Sequence, residues 1–160
     1  MRGALAALAF GLALSGCGFH LRGQAGLPFD TLYVDGNTAL MQELKRNVSA
    51  RTSTRLVGQA SAAQAVFAVD HEIREKVILA LDVAGQVRQF ELRYRVGFSV
   101  RDPKGRDWLP LSEIVLTREL SFNNQPLASE AEEAVLYRDM LSDMVQQVLR
   151  RMSASHLAQG

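Results

Sequence analysis

The chain has 160 residues, enough for one domain once a short leader is set aside. Its 18 basic and 17 acidic residues give a formal net charge of +1, without the global basicity typical of nucleic-acid-binding proteins. We therefore expect no nucleic-acid partner.

The first residues have the pattern of a secretory leader. Arg2 precedes the uncharged run ALAALAFGLAL at positions 4 to 14, and one basic residue before a short apolar run is typical of a signal peptide. The run is shorter than the roughly 20 apolar residues that span a bilayer. A buried helix is the alternative, but Gly11 and the lack of a polar face disfavour it. We predict a signal peptide over residues 1–16.

The leader ends in Leu14-Ser15-Gly16-Cys17, which resembles the bacterial lipobox. The resemblance implies cleavage before Cys17, a diacylglycerol on its thiol and an acyl chain such as palmitate on its new amine. A free or disulfide-bonded thiol is the alternative, but the chain has no second cysteine to pair with it. Gly18 stands where an aspartate often retains such proteins at the inner membrane, and so favours the outer membrane. We predict a lipidated tether over residues 17–29.

A single domain is predicted over residues 30–153, followed by a frayed tail over residues 154–160. Residues 30–36 have the alternation of a short strand that ends in a turn. Asn37 is a suitable helix N-cap, and a first helix is predicted over residues 38–51. Its apolar residues recur at helical spacing: Leu40, Met41, Leu44 and Val48. A short strand is possible near Leu56-Val57.

The next predicted strand covers residues 65–81 and alternates over its whole length. One face collects Phe67, Val69, His71, Ile73, Val77, Leu79 and Leu81, and the other Asp70, Glu72, Arg74 and Lys76. Glu75 breaks the apolar face, which indicates either a bulge or a stretch of strand that extends beyond the core.

Two more strands complete the predicted sheet. Residues 89–101 direct one row of side chains to the core, namely Phe90, Leu92, Tyr94, Val96, Phe98 and Val100. A turn at residues 102–105 leads to a last strand from about 112 to 122. On that strand Ile114, Leu116, Leu120 and Phe122 face the core, and Arg118 does not fit the pattern.

The final helix is predicted to begin at the capping box Ser129-Glu130-Ala131-Glu132 and to end near Met152. Its apolar stripe consists of Ala134, Tyr137, Leu141, Met144, Val145, Val148 and Met152. The predicted fold class is therefore α+β, with two helices packed on one face of a mostly antiparallel four-stranded sheet. The other face of the sheet remains polar.

No catalytic, metal or cofactor site is predicted. His20, His71 and His156 are far apart in the sequence, and none has the spacing of a metal ligand. His71 alternates with core residues, so we expect a hydrogen-bonded, partly buried ring. Cys17 is consumed if it is acylated and cannot then act as a nucleophile. We expect a protein that is not an enzyme.

The stretch Cys17-Gly18-Phe19-His20-Leu21-Arg22-Gly23 resembles the start of mature LptE, also called RlpB, a family of lipopolysaccharide-assembly lipoproteins. The order of predicted elements and the segment SFNNQPLASEAEE, from residue 121, are also similar to that family. The resemblance implies a lipoprotein of the outer membrane, on its periplasmic side, that plugs the lumen of the LptD β-barrel and assists its assembly. It also implies transport and binding of lipopolysaccharide.

The residues of the lipopolysaccharide site that the resemblance implies do not map well onto this sequence. The family's basic positions correspond here to regions near Val83-Ala84-Gly85-Gln86 and near Ser129-Glu130, which offer no basic side chain at the matching place. The nearby candidates on or beside the central strand are Arg88, Arg93, Arg95 and Arg101. These guanidinium groups could bind phosphate, or they could form a solvated face paired with Glu91, Glu113 or Glu119.

A second hypothesis is a periplasm-facing lipoprotein that binds a small amphiphile without a barrel partner. Co-purification of a large outer-membrane barrel separates the two hypotheses.

Overall fold

The structure is a computed structural model that describes residues 26–122 and 126–155. The predicted leader, Cys17 and most of the predicted tether lie outside these ranges. His20, residues 123–125 and residues 156–160 of the predicted tail also lie outside them.

One five-stranded sheet and two helices make up the described domain. The elements are β1 (Thr31–Val34), α1 (Ala39–Arg51), β2 (Arg55–Leu56), β3 (Ala65–Leu81), β4 (Val87–Arg101), β5 (Asp107–Ser121) and α2 (Pro126–Ser153). The strand order is β2-β1-β3-β4-β5. β1 pairs in parallel with β2 and β3, whereas β3, β4 and β5 are antiparallel. The predicted fold class is confirmed, except that the sheet has five strands rather than four because the short strand near Leu56 forms.

Both helices bury their apolar stripes against one face of the sheet, in a single core. The stripe predicted for α1 is confirmed, because Leu40, Met41, Leu44 and Val48 are all buried. Its N-cap is Thr38 rather than Asn37, and the Thr38 hydroxyl accepts a hydrogen bond from the Met41 amide at 3.4 Å. Asn47 is also buried and accepts a hydrogen bond from Gln146 of α2 at 3.1 Å.

The start of α2 differs from the prediction. The helix begins at Pro126. Proline is tolerated at this position because the first residues of a helix do not need an amide hydrogen for intrahelical bonding. Ser129 therefore lies inside the helix, where its hydroxyl is buried and has no hydrogen-bond partner among the described residues. Four members of the predicted stripe are buried, all in the second half of α2: Met144, Val145, Val148 and Met152. Tyr137 and Leu141 are partly buried, and Ala134 is exposed. Met140, which was not predicted, is also buried.

The alternation predicted for β4 is confirmed, because Leu92, Tyr94, Val96, Phe98 and Val100 are buried. β5 begins at Asp107, five residues before the predicted start. Pro110 is tolerated within it because β5 is an edge strand of the sheet. The misfit at Arg118 has a local cause, since this side chain lies on the core side and forms an ion pair with Asp143 of α2.

β3 contains a bulge that inverts its two faces. The pairing with β4 shifts between Val69 and His71, so Asp70 is an extra residue in the strand. Such an insertion moves every later side chain to the opposite face. Phe67 and Val69 face the core as predicted. From His71 to Ile78 the predicted faces are wrong, because Glu72, Arg74 and Lys76 point to the helices and pair with Val96, Tyr94 and Leu92. The pairing shifts again between Ile78 and Ala80 and between Ala80 and Leu81.

Candidate functional site

The face of β3, β4 and β5 that the helices leave uncovered is here called the open face. The pairing of the strands defines its members, which are His71, Ile73, Glu75 and Val77 on β3, Glu91, Arg93, Arg95 and Arg101 on β4, and Glu113, Val115, Thr117 and Glu119 on β5. The polar face predicted from the alternation of β4 is therefore present. The bulge adds Glu75 and His71 to it.

Two of the four arginines predicted to bind lipopolysaccharide lie side by side on the open face. Arg93 forms an ion pair with Glu91 at 2.5 Å. Arg95 binds Glu75 at 2.7 Å and lies 3.8 Å from Glu113. The predicted alternative of pairing with Glu91 and Glu113 is thus observed. The partner Glu75 was missed because the sequence does not reveal the bulge.

The other two arginines lie elsewhere. Arg101 shares the open face with Arg95 but is six residues further along β4, or about 20 Å at the usual rise per residue. It forms an ion pair with Asp107 at 2.9 Å. Arg88 lies beside the β3–β4 turn, where it pairs with Asp82 at 2.7 Å. The four predicted residues therefore do not form one cluster.

Every one of these four guanidinium groups already has a carboxylate partner. A phosphate that binds Arg93 or Arg95 must therefore compete with Glu91, Glu75 or Glu113 for the same N–H donors. The pairs are partly exposed, and exposed ion pairs contribute only about 0–1 kcal/mol. A phosphate can therefore replace a carboxylate as the acceptor of the arginine hydrogen bonds on this face at a small cost in free energy.

His71 connects three strands across the open face. Its Nδ1 is 2.9 Å from Asp70 Oδ2 and its Nε2 is 3.2 Å from Glu113 Oε1 on β5. The ring passes over Gly97 of β4, where an added Cβ would lie only 2.3 Å from Cε1. The hydrogen bond to the Asp70 carboxylate, followed by the one to Glu113, raises the pKa of His71. The ring is hydrogen-bonded, as predicted, but it lies on the open face rather than in the core.

The opposite face of the sheet is polar beneath the first half of α2. The Tyr94 hydroxyl donates to Glu72 at 2.7 Å, and Lys76 binds Glu133 of α2 at 2.6 Å. Arg74 lies over the rings of Tyr94 and Tyr137, at 4.8 and 5.5 Å from their centroids. These contacts attach the first half of α2 by charges and aromatic rings, in addition to the partly buried Leu136. These contacts were not predicted, because the bulge decides which β3 residues face α2.

The β3–β4 hairpin extends beyond the core. Its exposed apolar residues are Ile78, Leu79, Leu81 and Val83, and Leu127 at the start of α2 is also exposed. Leu79 and Leu81 were predicted to face the core, and that assignment is wrong. One of the two interpretations of Glu75 was a strand that extends beyond the core, and the end of β3 does extend beyond it. A group of exposed apolar residues of this kind is typical of an interaction surface.

The turn of this hairpin is ordered by Asp82. Its carboxylate accepts hydrogen bonds from the Gln86 and Ala84 amides, both at 2.9 Å, and binds Arg88. The hydrogen bond from the Gln86 amide, aided by those from Ala84 and Arg88, outweighs burial and lowers the pKa of Asp82. Gly85 has a φ of 78°, a left-handed conformation that glycine adopts without strain.

Residues 26–122 and 126–155 contain neither a candidate metal site nor a candidate membrane-spanning helix. No group of three or more His, Cys, Asp or Glu side chains in these ranges has a geometry that could hold a metal ion. Within the same part of the chain, neither helix combines the length and the apolar character needed to cross a membrane.

Comparisons with known proteins converge on one family. The sequence profile described as LptE, lipopolysaccharide-assembly, matches residues 29–152. The chain is similar to the solution structure of an uncharacterized lipoprotein B from Nitrosomonas europaea, with 42% identity and a TM-score of 0.75. That match covers 86% of this chain and 91% of the other. A search of curated protein sequences found no match.

Two crystal structures share the fold at lower identity. The rare lipoprotein B from Shewanella oneidensis is 22% identical with a TM-score of 0.68, over 78% of this chain and 94% of the other. A minor lipoprotein from Acinetobacter baumannii is 21% identical with a TM-score of 0.67, over 84% of this chain and 99% of the other.

Proposed function

Because the chain belongs to the LptE lipopolysaccharide-assembly family, we propose that it is an outer-membrane lipoprotein that works with the LptD β-barrel. In this role it plugs the lumen of the barrel, helps the barrel to assemble and takes part in the transport and insertion of lipopolysaccharide. The role is not enzymatic. Its domain lies on the periplasmic side of the membrane and within the barrel.

The observation that carries this proposal is the family match over residues 29–152, which includes every helix and strand of the described domain except the last residue of α2. The open face adds physical support. Large outer-membrane barrels have polar interiors, and some are filled by a plug. A sheet face on which arginines and carboxylates alternate can exchange ion pairs with such an interior without burying an unpaired charge.

The lipid anchor at Cys17 is tested by mass. Intact-mass analysis of protein extracted from membranes is expected to show loss of residues 1–16 and the added mass of acyl chains. The variant Cys17→Ser is expected to lack both the acyl mass and the cleavage at this site. An unmodified Cys17 with its leader attached would contradict the anchor.

The barrel partner is tested by co-purification. After extraction in mild detergent, a large outer-membrane β-barrel is expected to purify with the tagged protein in near-equal amount. The alternative role, binding of a small amphiphile without a barrel, predicts purification of the protein alone. Detection of a bound lipid with no barrel protein would favour that alternative.

We propose that lipopolysaccharide contacts the neighbouring Arg93 and Arg95. Arg93→Glu/Arg95→Glu is expected to lower the affinity for purified lipopolysaccharide and to weaken its dependence on salt, because two phosphate-binding charges are lost. Co-purification of the barrel is expected to persist. The milder double variant Arg93→Gln/Arg95→Gln removes the two positive charges without adding negative ones. It therefore distinguishes loss of phosphate binding from repulsion between the new glutamates and Glu75, Glu91 and Glu113.

The matched control is Arg46→Glu/Arg138→Glu, which makes the same change in net charge on the two helices. Unchanged affinity in both Arg93/Arg95 variants would make these arginines a solvated face only. Loss of the barrel instead of lipopolysaccharide would make the open face a plug contact.

A further inference from the structure

The two ends of the described domain differ in the elements that they contain. The proximal end is the end at which the chain enters β1, and it also holds the start of β3, the β4–β5 turn and the last turns of both helices. Phe29 contacts Trp108 with 5.5 Å between ring centroids, and Thr54 donates to the Phe29 carbonyl at 2.9 Å. The distal end holds the β3–β4 turn, the end of β5 and the start of α2.

Charge is separated between these ends. The proximal end has seven basic residues, Arg51, Arg55, Arg101, Lys104, Arg106, Arg150 and Arg151, against five acidic ones, Asp30, Asp35, Asp70, Asp102 and Asp107. The distal end has six acidic residues, Asp82, Glu91, Glu119, Glu130, Glu132 and Glu133, against three basic ones, Lys76, Arg88 and Arg118. The chain as a whole is almost neutral, so the domain has a large dipole along its length.

Most of the proximal cations are available to an external anion. Arg101 and Arg106 pair with Asp107 and Asp102. The other five are exposed and form no ion pair with any described residue, and these are Arg51, Arg55, Lys104, Arg150 and Arg151. Basic residues in the last turn of a helix complement its dipole, which accounts for Arg51, Arg150 and Arg151. That explanation does not apply to the strand and turn residues Arg55 and Lys104.

A depression of about 550 Å³ lies at the same end. Lys104, Arg106, Trp108, Pro103 and Gln64 are among its lining residues. The Trp108 indole donates to the Gln64 carbonyl at 3.1 Å, which fixes the ring at the edge of the depression. Aromatic rings beside lysine and arginine are typical of protein surfaces at the membrane interface.

The chain upstream of the described domain limits how far this end can lie from Cys17. Residues 17–25 number nine, and nine extended residues span at most about 30 Å. The 17 residues of β3 carry the distal end roughly 50 Å further away. An acyl chain on Cys17 therefore holds the basic end, and not the acidic end, near the bilayer.

We propose that the proximal end docks on the anionic phospholipid headgroups of the leaflet that holds the acyl anchor. Its five available cations attract phosphates within a Debye length of about 8 Å. The acidic distal end is repelled by the same surface. In the lipoprotein that has not yet entered the barrel, docking therefore directs the β3–β4 hairpin away from the leaflet. This inference rests on the proposed lipid anchor at Cys17.

Trp108 is a specific reporter of this contact because it is the only tryptophan in the chain. The acylated mature protein is reconstituted in phosphatidylethanolamine vesicles with and without phosphatidylglycerol, each containing a headgroup-labelled nitroxide lipid as quencher. We expect Trp108 fluorescence to be quenched about twofold more in the anionic vesicles. We expect about 0.5 M NaCl, where the Debye length is roughly 4 Å, to remove the difference.

Two charge reversals test the residues. Arg150→Glu/Arg151→Glu on α2 and Arg55→Glu/Lys104→Glu on the strand and turn are each expected to reduce quenching to the level of the uncharged vesicles. The control Arg118→Glu/Arg138→Glu makes the same change in net charge away from the proximal end and is expected to keep the difference. Circular dichroism verifies that each variant is folded.

Co-sedimentation with vesicles at high salt separates this inference from the anchor. If the wild-type protein does not sediment with vesicles at high salt, the lipid anchor is wrong, and the docking that depends on it is wrong too. If it sediments but Trp108 is quenched equally in both vesicles, or if neither proximal pair has an effect, the docking alone is wrong. Loss of the barrel in a proximal variant, with unchanged quenching, assigns this end to the protein partner and also overturns the docking.

Discussion

The substitution Tyr94→Phe tests the bulge in β3 because it removes one hydroxyl from a fully buried ring. That hydroxyl donates to Glu72 at 2.7 Å, and the contact exists only because the extra residue Asp70 turns Glu72 toward the helices. If β3 alternated without interruption, Glu72 would lie on the open face, on the far side of the sheet from the Tyr94 hydroxyl.

The expected loss of stability follows from the partner's charge and exposure. A hydrogen bond to a charged group contributes about 1.5–3 kcal/mol. The side chain of Glu72 keeps 20% of its accessible surface, so water replaces part of what the tyrosine supplied. We therefore expect Tyr94→Phe to lower the free energy of unfolding by about 1.5 kcal/mol, measured by equilibrium unfolding in urea.

The other two tyrosines of the chain provide a graded control. The Tyr137 hydroxyl donates to the Glu75 carbonyl at 3.0 Å in a partly buried site, so Tyr137→Phe is expected to cost about 0.5–1.5 kcal/mol. The Tyr33 hydroxyl is 3.4 Å from Asp35 at the surface, and Tyr33→Phe is expected to change stability by less than about 0.5 kcal/mol.

A double-mutant cycle with Glu72→Gln completes the test. Residues in direct contact show coupling of about 0.5–3 kcal/mol, whereas residues on opposite faces of the sheet would not be coupled. Equal effects of Tyr94→Phe and Tyr33→Phe, together with no coupling to Glu72, would refute the inverted register of β3.

Three further predictions concern the core and His71. Met144→Ala is expected to lower the free energy of unfolding by about 2–5 kcal/mol because the Met144 side chain is fully buried. Leu141 is only partly buried, so Leu141→Ala is expected to lower it by less. If urea unfolding shows the reverse order, the predicted helical phase of α2 is wrong. Gly97→Ala places a Cβ 2.3 Å from the His71 ring, so it is expected to lower the urea midpoint of the wild-type protein. The same substitution is not expected to lower the midpoint of the His71→Ala variant. An equal decrease of the midpoint in both proteins would argue against the contact. The hydrogen bonds that the His71 ring makes to Asp70 and Glu113 raise its pKa. The stability contributed by the protonated ring is therefore complete below the unfolded pKa of about 6.5 and is lost as pH rises through the higher folded pKa. The decline of stability above about pH 6.5 is therefore expected to be smaller in His71→Gln, and an unchanged slope would show that His71 does not cause it.

The local patterns of the sequence determined much of this protein. The stripe of α1 and the alternation of β4 are periodic over their full length, and periodicity alone assigns their buried faces. The same is true of the second half of α2. The lipobox resemblance at Cys17 and the family resemblance also depend only on sequence, and the family is confirmed by the match over residues 29–152.

The first half of α2 and the short β2 show where local patterns are insufficient. Ser129 and Glu132 have the spacing of a capping box, yet the helix begins at Pro126 and buries Ser129. β2 has only two residues and exists because it pairs with β1. A strand this short has no period of its own, so only its neighbour determines it.

The candidate site depended most on tertiary structure. Apolar residues occur at both parities of β3 after the bulge, with Ile73 and Val77 at odd positions and Ile78 at an even one. Alternation therefore cannot locate the extra residue. The register against β4, together with the His71 ring over Gly97 and the Tyr94 hydroxyl beside Glu72, decides that it is Asp70. That one residue determines whether Glu75 or Glu72 faces Arg95, because each side chain beyond a bulge changes face.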